Sequence, residues 1–209
     1  TTEAADAATG EGTGFTVQLG PNPETLDPAL NAAVDGGNTL ITIEEPLLII
    51  DENNEIQPGQ AESYEVSDDG LVWTFHLRKD AKWYDSKGKE VAPVTAQDFV
   101  DGMRFVADHK KTKSDMSIIK SVIVGLENYY DTLVDFDDPN LAASKKPEGP
   151  REAIEATFDD TVGVKALDDY TVEYTLTAPV PYFESFLVTE IFLPNHKEFS
   201  DACGTKFGT

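Results

Sequence analysis

The sequence predicts a mixed α/β fold, and three stretches carry that prediction. Residues 64–78 hold two β-prone runs joined through Ser67-Asp-Asp-Gly70, whose glycine can take a positive φ. Residues 95–130 carry apolar side chains at helical spacing, and residues 162–176 return to the hairpin pattern around Asp168-Asp169. Strands, then helices, then strands again imply layers of both kinds around a common core. With 209 residues, 40% of them apolar and including 11 Phe, 7 Tyr and 2 Trp, the chain is long and apolar enough to bury one.

Each element follows from local chemistry. Phe15-Thr-Val-Gln-Leu19 alternates apolar and polar before Gly20-Pro-Asn-Pro23, which predicts a short strand entering a loop. Leu40, Ile41, Ile43, Leu47 and Leu48 fit a helix from about Asn38, but Pro46 would break it, so the pattern predicts a strand by residues 47–50. Asp51-Glu-Asn-Asn54 and Gln57-Pro-Gly59 read as turns leading to a strand over 61–66. In the second hairpin arm Trp73, Phe75 and Leu77 alternate with Val72, Thr74, His76 and Arg78, giving an apolar face and a wet face. Thr95-Ala-Gln-Asp98 has capping-box spacing, with Phe99, Val100, Met103 and Val106 behind it, and predicts a helix over about 96–108. After the basic cluster His109-Lys-Lys-Thr-Lys113, the residues Ile118, Ile119, Val122, Ile123, Leu126 and Tyr130 share one face of a second helix. Residues 135–151 collect Asp, Pro, Gly, Lys and Ser and read as a surface excursion.

Composition excludes several classes of function. Asp and Glu number 39 against 16 Lys and Arg, a formal charge of −23 that repels phosphate backbones and anionic headgroups, so no nucleic-acid partner is expected. No run reaches the roughly 18 apolar residues of a spanning helix. Residues 1–14 are Thr/Ala/Gly/Glu-rich and read as a flexible linker, following either a removed leader or a trimmed start, and the final residues read as a cut end. Cys203 is the single cysteine, and His76, His109 and His196 stand in dissimilar settings, so no metal site is expected. Asp51-x-Asn53-x-Glu55 mimics a calcium loop, but Ile56 stands where its sharp turn needs Gly. The acid pairs Asp68-Asp69, Asp137-Asp138, Asp159-Asp160 and Asp168-Asp169 suit turns, where Asp competes for backbone N–H groups. Trp73, Phe75, Trp83 and Tyr84 are first of all core candidates. Nucleophile elbows, phosphate-cradling glycine loops and zinc-protease helices are absent, so catalysis has no starting residue and no cofactor is implied.

Five blocks in order resemble the oligopeptide-binding proteins of ABC importers, the family 5 extracellular solute-binding proteins. They are Thr25-Leu-Asp-Pro28, Pro58-Gly-Gln-Ala-Glu-Ser-Tyr-Glu-Val-Ser-Asp-Asp-Gly-Leu71, Trp73-Thr-Phe-His-Leu-Arg-Lys-Asp-Ala-Lys-Trp83, Val94-Thr-Ala-Gln-Asp-Phe-Val100 and Val164-Lys-Ala-Leu-Asp-Asp-Tyr-Thr-Val-Glu173. Ala178-Pro-Val-Pro-Tyr-Phe183 is a sixth. The resemblance implies a periplasmic-binding-protein-like (type II) bilobed receptor that closes on its ligand without altering it. This chain would be the first lobe only: domain I over 15–44 and 177–209, an inserted domain II over 45–176, and a second lobe beyond the last residue. By the same resemblance Asp27 and the pair Lys82-Trp83 are structural.

The family's ligand-contacting loop after Leu-Asp-Pro matches Val34, Asp35, Gly36, Gly37 and Asn38 here, and the two glycines would let a ligand backbone approach closely. Some relatives carry Glu where Gly36 stands, and Asp35 could substitute for it; Met116 stands where many carry an aromatic residue. The implied partners are a peptide ligand, held by backbone pairing, and the permease subunits of an importer. The implied state is a monomer outside the cytoplasmic membrane, lipid-anchored or periplasmic. The same fold binding a dipeptide, nickel chelate, haem or oligosaccharide, or acting as a peptide or pheromone sensor, is the alternative.

Overall fold

The computed structural model describes residues 24–31, 33–113 and 116–204. The strand expected at 15–19 lies outside them. In chain order the elements are α1 (Val34–Ile43), β1 (Leu48–Ile50), β2 (Ile56–Pro58), β3 (Ala61–Val66), β4 (Val72–Leu77), β5 (Lys82–Tyr84), β6 (Glu90–Pro93), α2 (Ala96–Val106), α3 (Ile119–Val122), α4 (Leu126–Asp137), α5 (Arg151–Glu155), α6 (Phe158–Thr161), β7 (Val164–Asp168), β8 (Thr171–Thr175) and α7 (Lys197–Cys203). Short 3₁₀ turns occupy Ala143–Lys145, Phe183–Ser185 and Glu190–Phe192.

The two hairpins join into one antiparallel sheet of order β3-β4-β8-β7, with Phe75 opposite both Tyr64 and Val172. Alternation along β4 works as the sequence predicts: Trp73, Phe75 and Leu77 are buried, while Val72, Thr74 and His76 are half-buried on the other face. Onto the apolar face come Tyr174, Phe183 and Phe192, with Phe75 and Tyr174 edge to face at 6.0 Å. Helix α2 packs on β7 and β8 and buries Phe99, Val100, Met103 and Val106. Its start is fixed by Asp98, whose Oδ2 accepts from the Thr95 backbone N–H at 2.8 Å and the Thr95 hydroxyl at 3.2 Å. The same oxygen accepts from the Trp83 indole at 3.2 Å, tying β5 to the helix.

Several expectations are corrected. The helix expected around Asn38 begins at Val34. Residues 57–59 are not a turn alone: Gln57 and Pro58 belong to β2, paired with β1. The single helix expected over 118–130 is two, because Ile123 is extended and bridges Leu176, and Gly125 takes φ 72°. A Cβ on Gly125 would lie 1.9 Å from the Thr161 carbonyl oxygen, so only glycine turns the chain there. The apolar stripe survives the break, since Ile119, Ile123 and Leu126 are all buried, whereas Ile118 is exposed. Among the acid pairs expected in turns, Asp159 and Asp160 lie in the first turn of α6, and Asp137 is the last residue of α4 with Asp138 as its C-cap. Tyr84 is not core but 61% exposed. The β5–β6 hairpin was not anticipated by the alternation pattern.

Candidate functional site

The segment leading into α1 is held by short-range polar contacts. Asp27, buried, accepts the Ala29 N–H on Oδ1 at 2.9 Å, and its carbonyl accepts from the Leu30 and Asn31 N–H groups at 3.1 and 2.9 Å. Asn31, also buried, bends back over the helix start: its Nδ2 donates to the Ala33 carbonyl at 3.0 Å, and the Ala33 N–H donates to its Oδ1 at 3.3 Å. No side chain caps the N-terminus of α1.

Val34, Asp35, Gly36, Gly37 and Asn38 therefore form the first turn of a helix, not the loop expected from the sequence. Gly36 and Gly37 are buried; the missing side chain of Gly36 makes room for Asn31, whereas a Cβ on Gly37 would be in ordinary contact with its neighbours. A Cβ on Gly36 would lie 2.0 Å from Asn31 Oδ1, and one on Gly37 would lie 3.5 Å from Glu190 Oε1. The faces on which a ligand backbone was expected to approach are thus occupied by Asn31 and Glu190. Val34, 80% exposed, and Asn38, one turn further on, are what the segment presents to solvent, and Ile41 continues that face. Met116 is core.

At the other end of α1 a groove of about 560 Å³ opens between Ile41, Ile43, Ile49 and Ile50 on its lips and Glu44, Glu45, Gln60 and Arg78 below. Glu45 accepts from Gln60 Nε2 at 3.0 Å and pairs with Arg78 at 2.9 Å. Three enclosed polar atoms of these residues, Glu44 Oε2, Gln60 Oε1 and Arg78 Nε, have no hydrogen-bond partner, and Arg78 Nε has only the Asp80 carboxylate at 3.6 Å. Burial, and secondarily the charge of Asp27, pushes the Glu44 carboxyl up to about 8. Burial also raises Asp27, against the opposing pull of its backbone N–H contacts. Glu44 is thus held mostly in its neutral form at pH 7. The residues missed from sequence are Asn31, Glu44 and Glu190. Only Glu44 left a signal, an acid directly after a helical apolar run.

Among the described residues no three His, Cys, Asp or Glu side chains gather as a metal would need, and no helix is long and apolar enough to cross a membrane. What the face offers is a shape with exposed aliphatic and amide groups, and residues 55–208 match the model of the bacterial extracellular solute-binding proteins, family 5 middle. The chain belongs to that family. It is 36% identical over 189 residues to the oligopeptide-binding protein AmiA of Streptococcus pneumoniae, covering 89% of this chain and 25% of that protein. It is 36% identical over 214 residues to the periplasmic oligopeptide-binding protein OppA of Salmonella typhimurium, covering 98% of this chain and 34% of the relative. Among solved structures, Haemophilus influenzae OppA in complex with RPPGFSPFR superposes with a TM-score of 0.70 at 31% identity, over 90% of this chain and 31% of that one. The pheromone receptor PrgZ superposes at 0.64 with 27% identity over 89% and 31%. The family 5 chain thus spans about a quarter to a third of the length of these relatives. The periplasmic-binding-protein-like fold expected from the sequence is the one these structures share.

Proposed function

We propose that this chain is part of a receptor that captures oligopeptides outside the cytoplasmic membrane and hands them to an ABC importer. The observation that carries the reading is the match to proteins named for oligopeptide binding over nearly nine-tenths or more of the chain, at above 30% identity. Geometry supports a binding role: α1 is rigidly seated by Asn31 and Asp27, and its Val34, Asn38 and Ile41 side chains stay uncovered. On this reading Val34 and Asn38 contact ligand by side chain, Asp35 stands beside them, and Gly36 and Gly37 seat the helix. Residues 45–176 form domain II, the protein is a monomer, and neither metal nor cofactor takes part.

Calorimetry of the full-length protein against peptides of graded length, oligosaccharides and a nickel chelate tests it. Heat with peptides is expected; heat with sugars or nickel alone refutes it. The 209-residue segment by itself is expected to bind peptide negligibly, because a cleft that encloses most of its ligand needs both walls. The likeness to a pheromone receptor favours a second reading, peptide sensing, and pull-down of permease subunits with and without peptide separates the two. Ligand-dependent capture of the permease is the outcome expected of transport.

A further inference from the structure

Among the described residues strand β3 is an edge of the four-stranded sheet, paired with β4 on one side only. The Ser67 N–H donates to the Val72 carbonyl at 2.9 Å, so counting back along the register, Glu65 and Ser63 also spend their backbone groups on β4. Val66 and Tyr64 then turn their N–H and C=O groups to the open edge. Natural edges are blunted by bulges and charges. The bulge here falls between Ala61 and Ser63, which leaves four residues in regular register. Beside this edge runs a groove of about 720 Å³ with Leu48, Ile56, Ala61 and Tyr64 as its apolar surface. Its lining includes the carboxylates of Glu55 and Glu184 and no Lys or Arg, and β3 itself adds exposed Glu62 and Glu65. Glu184 Oε2 accepts the Tyr64 hydroxyl at 2.6 Å, which holds that ring along the groove.

We propose that the open edge of β3 is a docking site for an extended, cationic segment of a partner protein, which adds as a fifth strand. Backbone pairing supplies Val66 and Tyr64 with partners, and the acidic surroundings select the sign. The pleat sets the pattern recognised: one set of alternate side chains meets the apolar side of Tyr64 and Val66, and the other set meets the Glu65 side. A segment alternating aliphatic residues with Lys or Arg fits both. A second copy of this chain fits poorly, since antiparallel pairing of β3 with itself would bring carboxylates together. This surface is separate from the α1 face and does not depend on the function proposed for it.

The test uses the full-length protein and two capped hexapeptides, one alternating Lys and Val and one alternating Glu and Val. The Lys probe is expected to bind saturably and to slow hydrogen exchange at the Tyr64 and Val66 amides, while the Glu probe does not bind. Val66→Pro removes an edge-facing donor without touching the β3–β4 bonds and should weaken the Lys probe about tenfold. Glu62→Lys with Glu65→Lys leaves the backbone unchanged and should transfer preference to the Glu probe. Absence of saturable binding overturns the proposal. So does binding that Val66→Pro leaves untouched, which would place the peptide in another cleft, or equal binding of both probes. A concentration-dependent dimer that Val66→Pro dissolves would make a second copy the occupant and overturn it as well.

Discussion

Beneath the C-terminal end of α4, the carboxylates of Asp108 and Asp137 are sealed against Arg151, which meets Asp108 at 2.5 Å and Asp137 at 3.1 Å and also contacts Glu155. Lys110 closes the group on Asp137 at 2.5 Å. Beside α1, Asp27 and Glu44 are withdrawn from water, and among the described residues no cation pairs with either. Burial alone would raise the Asp137 carboxyl, but the Lys110 and Arg151 hydrogen bonds outweigh it and hold it below the usual range, whereas Glu44 rises to about 8. Two carboxyls are thus driven in opposite directions, one by its cationic partners and the other by burial without them. The first region is complete in ion pairs, although His109 Nδ1 beside Asp137 is buried without a hydrogen-bond partner. The second is not: Glu44 Oε2 and Gln60 Oε1 have no hydrogen-bond partner, and it adjoins the surface proposed for function.

Breaking the complete region should have the largest effect. Arg151→Ala strips the buried Asp108 carboxylate of its hydrogen-bonded cation, leaving it only Lys111 at 3.7 Å while Asp137 keeps Lys110, and is expected to cost about 3 kcal/mol, read by urea unfolding at pH 7. The lowered Asp137 gives stability that is present above its unfolded pKa, near 4, and is lost as pH falls through its folded value. A variant lacking Arg151 should therefore show a shallower loss of stability in acid. An unchanged midpoint at pH 7 would show that water reaches the cluster.

The incomplete region predicts the reverse sign. Glu44 has a raised folded pKa, so its contribution is intact below about 4.5 and erodes as pH rises toward 8. Glu44→Gln fixes the neutral form and should stabilise by about 1–3 kcal/mol at pH 8, with the gain shrinking to nothing near pH 4. Thermal melts across that range check it, and a gain independent of pH would remove the electrostatic cause. Gly36→Ala comes next: the added methyl displaces Asn31 and should cost about 1–2 kcal/mol by denaturant titration. The smallest effect belongs to Tyr64→Phe, which removes one exposed hydrogen bond to Glu184 and should cost under about 1 kcal/mol in the same assay.

Legibility in the sequence followed the locality of the cause. The Ser67–Gly70 hairpin, the α2 cap at Thr95 and the break at Pro46 are written in residues a few positions apart, and each appears in the structure where the sequence predicts it. The split between α3 and α4 was hidden because both halves keep one apolar stripe. Its cause is Thr161 pressing on Gly125 and Leu176 bridging Ile123, both distant in sequence. The site shows the same division. Val34 and Asn38 are proposed for ligand contact from their place after Thr25-Leu-Asp-Pro28, but the burial of Gly36 and Gly37 depends on Asn31 and on Glu190, and nothing in a linear pattern announces the second. Tyr84 misled because an aromatic residue beside Trp83 reads as core, while the pleat sends neighbours to opposite sides.

The carbonyl of Ala29 accepts twice, from the Lys113 N–H at 2.7 Å and the Thr112 hydroxyl at 3.1 Å. Through that one oxygen the turn ahead of α1 is moored to the loop following α2, more than eighty positions later in the chain. Any displacement that tugs on the start of α1 must either drag the Lys110–Lys113 stretch along or snap both tethers. That atom is accordingly one point where mechanical load would pass from α1 into the rest of the body.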